Sequence, residues 1–206
     1  MEDVLDVYKR PYNPDVPVLC VDESCKQLIE NVRPVLPARP GDIEKQDDEY
    51  VRNGVAEIFL CIEPLTGRCE VSVGERRGCK DWAEFIRMLL EDKYPNAQKV
   101  ILVMDNLNTH ELSSLYQRFP PERARALARR MEIHHTPKHG SWLDVAEIGL
   151  SVLKSQCLNG RVPDLETMKK MVTAWQTRHN SNPHPVQWHF TCEDARVKLI
   201  SVYPKN

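Results

Sequence analysis

Several things are missing from this chain of 206 residues, and each absence closes off a class of protein. No apolar run approaches the ~20 residues a membrane span needs. The first residues, MEDVLDVYKRP, are acidic and carry no apolar signal-peptide core. Seven cysteines are present, an odd count with no Cys-x-x-Cys, so they read as reduced residues of a cytosolic protein rather than a disulfide framework. No Gly-x-Gly-x-x-Gly follows a strand, which excludes a dinucleotide-binding fingerprint. No Gly-x-Ser-x-Gly elbow exists for a hydrolase triad. The histidine-bearing stretches HHTPKH and PHPVQWH lack zinc-finger spacing and have no cysteine pair beside them. Repeats and low-complexity tracts are also absent.

The composition, 41% hydrophobic and 28% charged, is that of a globular protein. The net charge of −2 is small, but it is unevenly spread. Residues 1–60 hold 7 basic and 13 acidic side chains, a net −6, and the remaining 146 hold 21 and 17, a net +4. Arg118, Arg123, Arg125, Arg129, Arg130 and Lys138 crowd a short segment. They form either a face for a polyanion or a solvated helix face.

The order of elements follows from periodicity and turn chemistry. Val18–Val21 is a short apolar strand that stops at Asp22. Residues 33–50 are proline-rich and acidic and read as a loop. Residues 55–62 and 69–73 are strand-like, joined by the turn EPLTG. Residues 81–93 have helical spacing and stop before Pro95. A strand over 100–104, short helices over 111–118 and 122–130, a strand at MEIHHTP, and helices over 141–158 and 165–179 follow. The expected fold is α/β, a mixed central sheet with helices on both faces. Sites in such folds form at the carboxyl ends of strands.

The stretch VILVMDNLNTH shows the pattern best. Five apolar residues end at Asp105, followed at once by Asn106, Asn108 and His110. Asp22 repeats it in VLCVDES. One such aspartate most often caps a turn. Two, at the ends of neighbouring strands, would repel each other and so favour a bound cation. A hard divalent ion with oxygen ligands fits that need. A third acid lies in SWLDVAEIGLSVLK, where Ser141 reads as the N-cap and Asp144 as its capping-box partner. Asp144, Glu147, Ser151 and Lys154 then make one narrow polar stripe on a helix apolar over most of its girth. Glu147 is either a paired buried charge or a ligand pointing into a site.

CVDES, VMDNLNTH and HTPKHGSWLDVAEIGLSVL together resemble the catalytic domain of DDE transposases of the mariner-like superfamily. The match is best with the bacterial insertion-sequence branch (IS-six-thirty). The resemblance runs over nearly the whole chain and implies a ribonuclease H-like fold. It implies that Asp22, Asp105 and Glu147 are the catalytic residues and hold two Mg²⁺ or Mn²⁺ ions. The implied activity is cleavage of DNA at transposon ends and transfer of the 3′-hydroxyl into target DNA. By the same resemblance Asn106, Asn108, His110, Lys138, His139 and Trp142 lie at or near DNA. The implied partners are transposon-end and target DNA and a second copy of the chain at synapsis, with no membrane, in a prokaryotic cytoplasm at the nucleoid.

Three departures bear on this expectation. The interval from Asp105 to Glu147, 42 positions, is longer than in many mariner relatives, and the Arg-rich segment 120–131 fills it as an extra helix. Position 144 is aspartate where the family pattern has asparagine. The family's N-terminal helix-turn-helix module has no counterpart in residues 1–206, which are expected to form one catalytic domain that binds DNA weakly and with little sequence preference. The alternative is a catalytically idle remnant that serves as a DNA-binding or interaction module. A hybrid-cleaving nuclease of similar fold is a third possibility, and no activity on RNA–DNA duplexes is expected.

Overall fold

A computed structural model describes residues 1–106, 111–138 and 140–203. Five strands form the sheet: β1 (Val18–Asn31), β2 (Tyr50–Glu63), β3 (Arg68–Gly74), β4 (Val100–Met104) and β5 (Met131–His135). Their spatial order is β3-β2-β1-β4-β5. The first three pair antiparallel, and β1–β4 and β4–β5 pair parallel. β4 is buried along its whole length, as a central parallel strand with both faces covered must be.

Seven α-helices flank the sheet among the described residues: α1 (Glu2–Tyr8), α2 (Cys79–Arg87), α3 (Leu112–Arg118), α4 (Pro121–Arg129), α5 (Val145–Gln156), α6 (Leu165–Ser181) and α7 (Cys192–Lys198). Alternation along β1 sends Val18 and Cys20 to one face and Leu19 and Val21 to the other. The first face packs on α1, α5, α6 and α7, the second on α2, α3 and α4. The mixed sheet with helices on both faces is thus as expected from the sequence. None of the seven cysteines forms a disulfide. Among the described residues no helix is long and apolar enough to cross a membrane.

The structure corrects several local readings. β1 does not stop at Asp22 but runs on to Asn31, paired with β2 down to Tyr50. The apolar run ends because β4, the parallel neighbour, covers only Val18 to Cys20, so from there β1 needs no apolar seal against it. The helix after Gly78 changes to a π-turn at Met88–Lys93. Gly67 closes the β2–β3 turn at φ +73°, where an added Cβ would sit 2.2 Å from the His184 carbonyl oxygen. The exposed edge of β3 is covered from α6. There Asn180 both accepts from Cys69 N–H (3.0 Å) and donates to its carbonyl (2.7 Å), and Gln176 accepts from Val71 N–H (3.0 Å).

The basic cluster divides. Arg118 pairs with Glu84 and Arg123 with Glu91. Arg130 donates to the carbonyls of Leu90 (2.8 Å), Tyr94 (2.6 Å) and Ala97 (2.8 Å), sealing the end of the π-turn. Arg125, Arg129 and Lys138 are exposed and show no such role among the described residues. Arg130→Met should therefore cost about 2–3 kcal/mol, the range for losing charge-assisted bonds and orphaning their acceptors. The midpoint of urea unfolding reads that loss, and an unchanged midpoint would refute the sealing role.

At the β5 edge, Glu132 accepts from Arg10 (2.8 Å) and Lys99 (3.4 Å) and lies 3.1 Å from His134, whose other ring nitrogen is 2.7 Å from Asp3 on α1. Arg10 foremost, with His134 and Lys99, holds the Glu132 carboxyl down at about 2. A depressed carboxyl contributes stability that is present above its unfolded value, near 4.3, and is lost as pH falls toward 2. Acid titration of thermal stability should show this limb, and Glu132→Gln should flatten it.

Candidate active site

The parallel register builds the site. Cys20 is level with Val103, the last pair of the parallel register; Asp22 lies two residues further along β1 and Asp105 directly follows β4, so both acids lie just past the end of the parallel pairing. Both follow the alternation of the face that α5 covers, since Cys20 and Val103 belong to that core. Asp22 is paired across the antiparallel ladder with Leu60 of β2. Its Oδ1 accepts the Glu23 N–H at 2.8 Å. Glu23, one residue on, follows the opposite face, as alternation requires. The end of β4 is tied to β5 by Thr136 N–H donating to Met104 O (2.9 Å) and by the His135 ring N–H donating to the Asp105 carbonyl (3.2 Å).

α5 lies on this face, with Gly149 against Leu60 of β2. A Cβ there would meet Leu60 Cδ2 at 2.8 Å, so any larger residue presses on Leu60. The sequence reading did not single out Gly149, though a glycine inside a helical pattern was its signal. Glu147 is half-buried at the margin of the face that packs on the sheet. The outer side of α5 is broader than the narrow stripe suggested, because Ile148, Ser151, Lys154 and Ser155 are all exposed. Among the described residues no ion pair to Glu147 is found, so the paired-charge reading gains no support.

The start of α5 also differs from expectation. Ser141–Leu143 form a short 3₁₀ turn, and Asp144, not Ser141, is the N-cap, its Oδ1 accepting Ala146 N–H at 2.9 Å. The 3₁₀ turn ends at Asp144, whose extended backbone (φ −84°, ψ 110°) is what a cap requires. Tyr8 of α1 pins this corner. Its hydroxyl donates to Leu143 O (2.6 Å) and accepts from Val145 N–H (3.4 Å). Neither α1 nor this pin is legible in the sequence pattern.

The carboxylates sense one another. Burial foremost, then the charges of Glu23, Asp105 and Glu147, pushes Asp22 up to about 6. Burial foremost, then the charges of Asp22, Glu147 and Asp105, pushes Asp144 well above the usual range. Among the described residues, however, no three His, Cys, Asp or Glu side chains stand close enough to hold an ion as they are. The side chains here are carboxylates, the oxygen donors that a hard divalent cation prefers, and the Asp144 Oδ2 is buried with no hydrogen-bond partner.

Beside Asp105 a cleft of about 490 Å³ is lined by Asn106, Thr136, Pro137, Lys138 and Ser141. Trp142 stands near it, 45% exposed. Its ring stacks on Trp188 (6.3 Å, 13°) and meets Phe190 edge-on (5.4 Å, 83°). It is thus neither buried core nor loose surface, but an aromatic held on an aromatic shelf. Asn108, His110 and His139 lie outside the described residues.

A mixed sheet of this order, with Asp22 within β1, Asp105 just past β4 and α5 packed on the same face, defines a ribonuclease H-like fold of the transposase kind. A family model for the DDE superfamily endonuclease matches residues 17–169. The chain belongs to the DDE superfamily. Among solved structures it is similar to the Mos1 mariner paired-end complex with Mn, at a TM-score of 0.50 and 17% identity over 86% of this chain and 52% of that one. It is also similar to the Mos1 transposase paired-end complex with the left transposon end, at 0.55 and 17% over 85% and 52%. The intasome of simian T-cell lymphotropic virus follows at 0.50 and 10% over 88% and 60%. At such identities the likeness is one of fold. The chain spans about half the length of the Mos1 chains it matches. No curated protein is significantly similar in sequence.

Proposed function

We propose that residues 1–206 form the catalytic domain of a DNA transposase of the mariner-like type, in its bacterial insertion-sequence branch. In this reading Asp22, Asp105 and Glu147 hold divalent ions, Mg²⁺ or Mn²⁺. The observation that carries it is that Asp22 and Asp105 lie just past the end of the β1–β4 pairing, with Asp22 within electrostatic reach of Asp105 and Glu147. The Mn in the related Mos1 complex supports the choice of ion. Ions held there would activate the attacking water or 3′-hydroxyl and steady the leaving oxygen. The chain's own part is to fix the acids on rigid strands and to exclude water beneath α5. Lys138 would neutralise a phosphate, and the outer face of Trp142 would stack on a base. Asn106 would line the path of the strand, as would Asn108, His110 and His139. The DNA partners are transposon ends and target, with a second copy of the chain at synapsis.

One observation favours a second reading. The carboxylates are not gathered on a common point. As the side chains stand, this fits a catalytically idle module that binds DNA better than a poised enzyme. Nicking of supercoiled plasmid by the chain in Mg²⁺ or Mn²⁺ separates the two. The first reading expects nicking that chelator and Asp105→Ala both remove. Nicking that survives Asp105→Ala, or none in either metal even with a recognition module fused to the N-terminus, supports the idle module.

A further inference from the structure

We propose that Tyr8 is a positioning residue of the site, its hydroxyl setting where Glu147 stands relative to Asp22 by clasping the start of α5 to β1. The inference rests on the reading of Asp22 and Glu147 as working acids.

Tyr8 is the last residue of α1. Its hydroxyl meets three groups. It donates to the Leu143 carbonyl (2.6 Å), accepts from the Val145 N–H (3.4 Å) and lies 3.3 Å from Cys20 Sγ. Leu143 and Val145 flank Asp144, where the 3₁₀ turn gives way to α5. A helix start leaves backbone groups without helical partners, and buried ones must be paired in another way. Leu143 and Val145 are fully buried, so solvent does not serve them, and the phenol does. Burial foremost holds that phenol well above its usual range, so it keeps its proton and donates throughout the neutral range. Cys20 lies two residues before Asp22 on β1, and Glu147 two residues beyond Val145 in the first turn of α5. One oxygen atom therefore ties the strand of one acid to the helix of the other. The two acids are within electrostatic reach, since the charge of Glu147 raises Asp22. α1 is itself anchored away from α5. Glu2 takes two bonds from Arg196 of α7 (2.7 and 2.8 Å), and Val4, Leu5 and Val7 are buried. The Tyr8 ring packs on Trp188 (4.9 Å, 48°), a contact that phenylalanine would keep.

The test is Tyr8→Phe in the full chain, read by amide hydrogen exchange without metal and by Mn²⁺-dependent plasmid nicking. Arg130→Met, whose bonds lie on the other face of the sheet, is the control for lost stability. The Val145 and Glu147 amides should exchange about tenfold faster or more in Tyr8→Phe than in Arg130→Met, a local opening rather than a global one. The kcat for nicking should fall about ten- to a hundredfold, the scale on which small misplacements act, with KM for DNA unchanged. Arg130→Met should nick as wild type does at a temperature where both are folded. Exchange at these two amides equal to wild type would overturn the inference, because the hydroxyl would not be holding the junction. Faster exchange with a kcat no lower than that of Arg130→Met would overturn it too, and leave Tyr8 a structural peg. A wild-type chain that shows the expected exchange but does not nick overturns the catalytic reading, and the positioning role with it.

Discussion

Asp22→Asn is expected to move activity and stability in opposite directions. Metal-dependent nicking should fall by about a thousandfold or more. The metal-free chain should melt roughly 2–6 °C higher at pH 7.5. The first effect follows from removing one anionic ligand, since ion-mediated charge stabilisation is worth several kcal/mol and each ~1.4 kcal/mol is tenfold in rate. The second follows from burial. The Asp22 carboxyl titrates at about 6 in the folded chain, against an unfolded value near 3.9. A carboxyl so raised leaves its stability intact below pH ~4 and loses it as pH rises through ~6. The side chain is half-buried, so solvent screening trims the full linkage value to about 1–2 kcal/mol. For a chain of this size that is a few degrees. The asparagine Oδ1 can still accept the Glu23 N–H, so the strand is not disturbed. The gain over wild type should be large at pH 7.5 and small at pH 4, by calorimetry. A variant that loses stability along with activity would show Asp22 to be a structural residue.

Gly149→Val is expected to lower stability by about 2–4 kcal/mol and to reduce nicking beyond what that loss explains. An alanine at this position gains roughly 1 kcal/mol of helix propensity. Against this, its Cβ would press into Leu60 at 2.8 Å, and overpacking of this kind costs about 1–3 kcal/mol. Leu60 is fully buried in the sheet, so it cannot swing aside. Alanine should therefore be neutral to mildly destabilising, and the branched valine clearly worse. Relief comes by lifting α5 from the sheet, which carries Glu147 away from Asp22, the residue paired with Leu60. Leu60→Val should partly rescue Gly149→Ala, a non-additive coupling expected only of touching residues. Denaturant unfolding of the four chains measures it. A Gly149→Val chain as stable as wild type would refute the close approach.

The site was half legible in the residues. Asp105 shows because a run of five apolar residues ends on a charge, and β4 is indeed a fully buried strand. Asp22 shows for the same reason, yet the strand it belongs to continues nine residues further. Those residues pair only with β2 and lie past the end of β4, where apolar character is not required, so the hydropathy pattern went silent before the strand did. Asp144 read as a capping-box partner because sequence spacing cannot tell a 3₁₀ turn from the first turn of a helix. Arg130 read as surface charge because its carbonyl acceptors lie more than thirty residues away. Trp142 gave no sign of its shelf, since Trp188 and Phe190 come from the other end of the chain.

What the sequence settled alone was the α/β class, the turn before Cys69, the helices between residues 79 and 181 in outline, and the resemblance to the DDE superfamily. All of these rest on short-range periods, turn chemistry and motif order, which a linear reading contains. Tertiary structure decided the rest: that Asp22 and Asp105 come to lie just past the end of the β1–β4 pairing, that Gly149 lies against Leu60, and that one oxygen of Asp144 is left without a donor. Each of these is a distance between elements remote in the chain, and such distances are set by how two faces of a sheet pack, not by any neighbour in sequence.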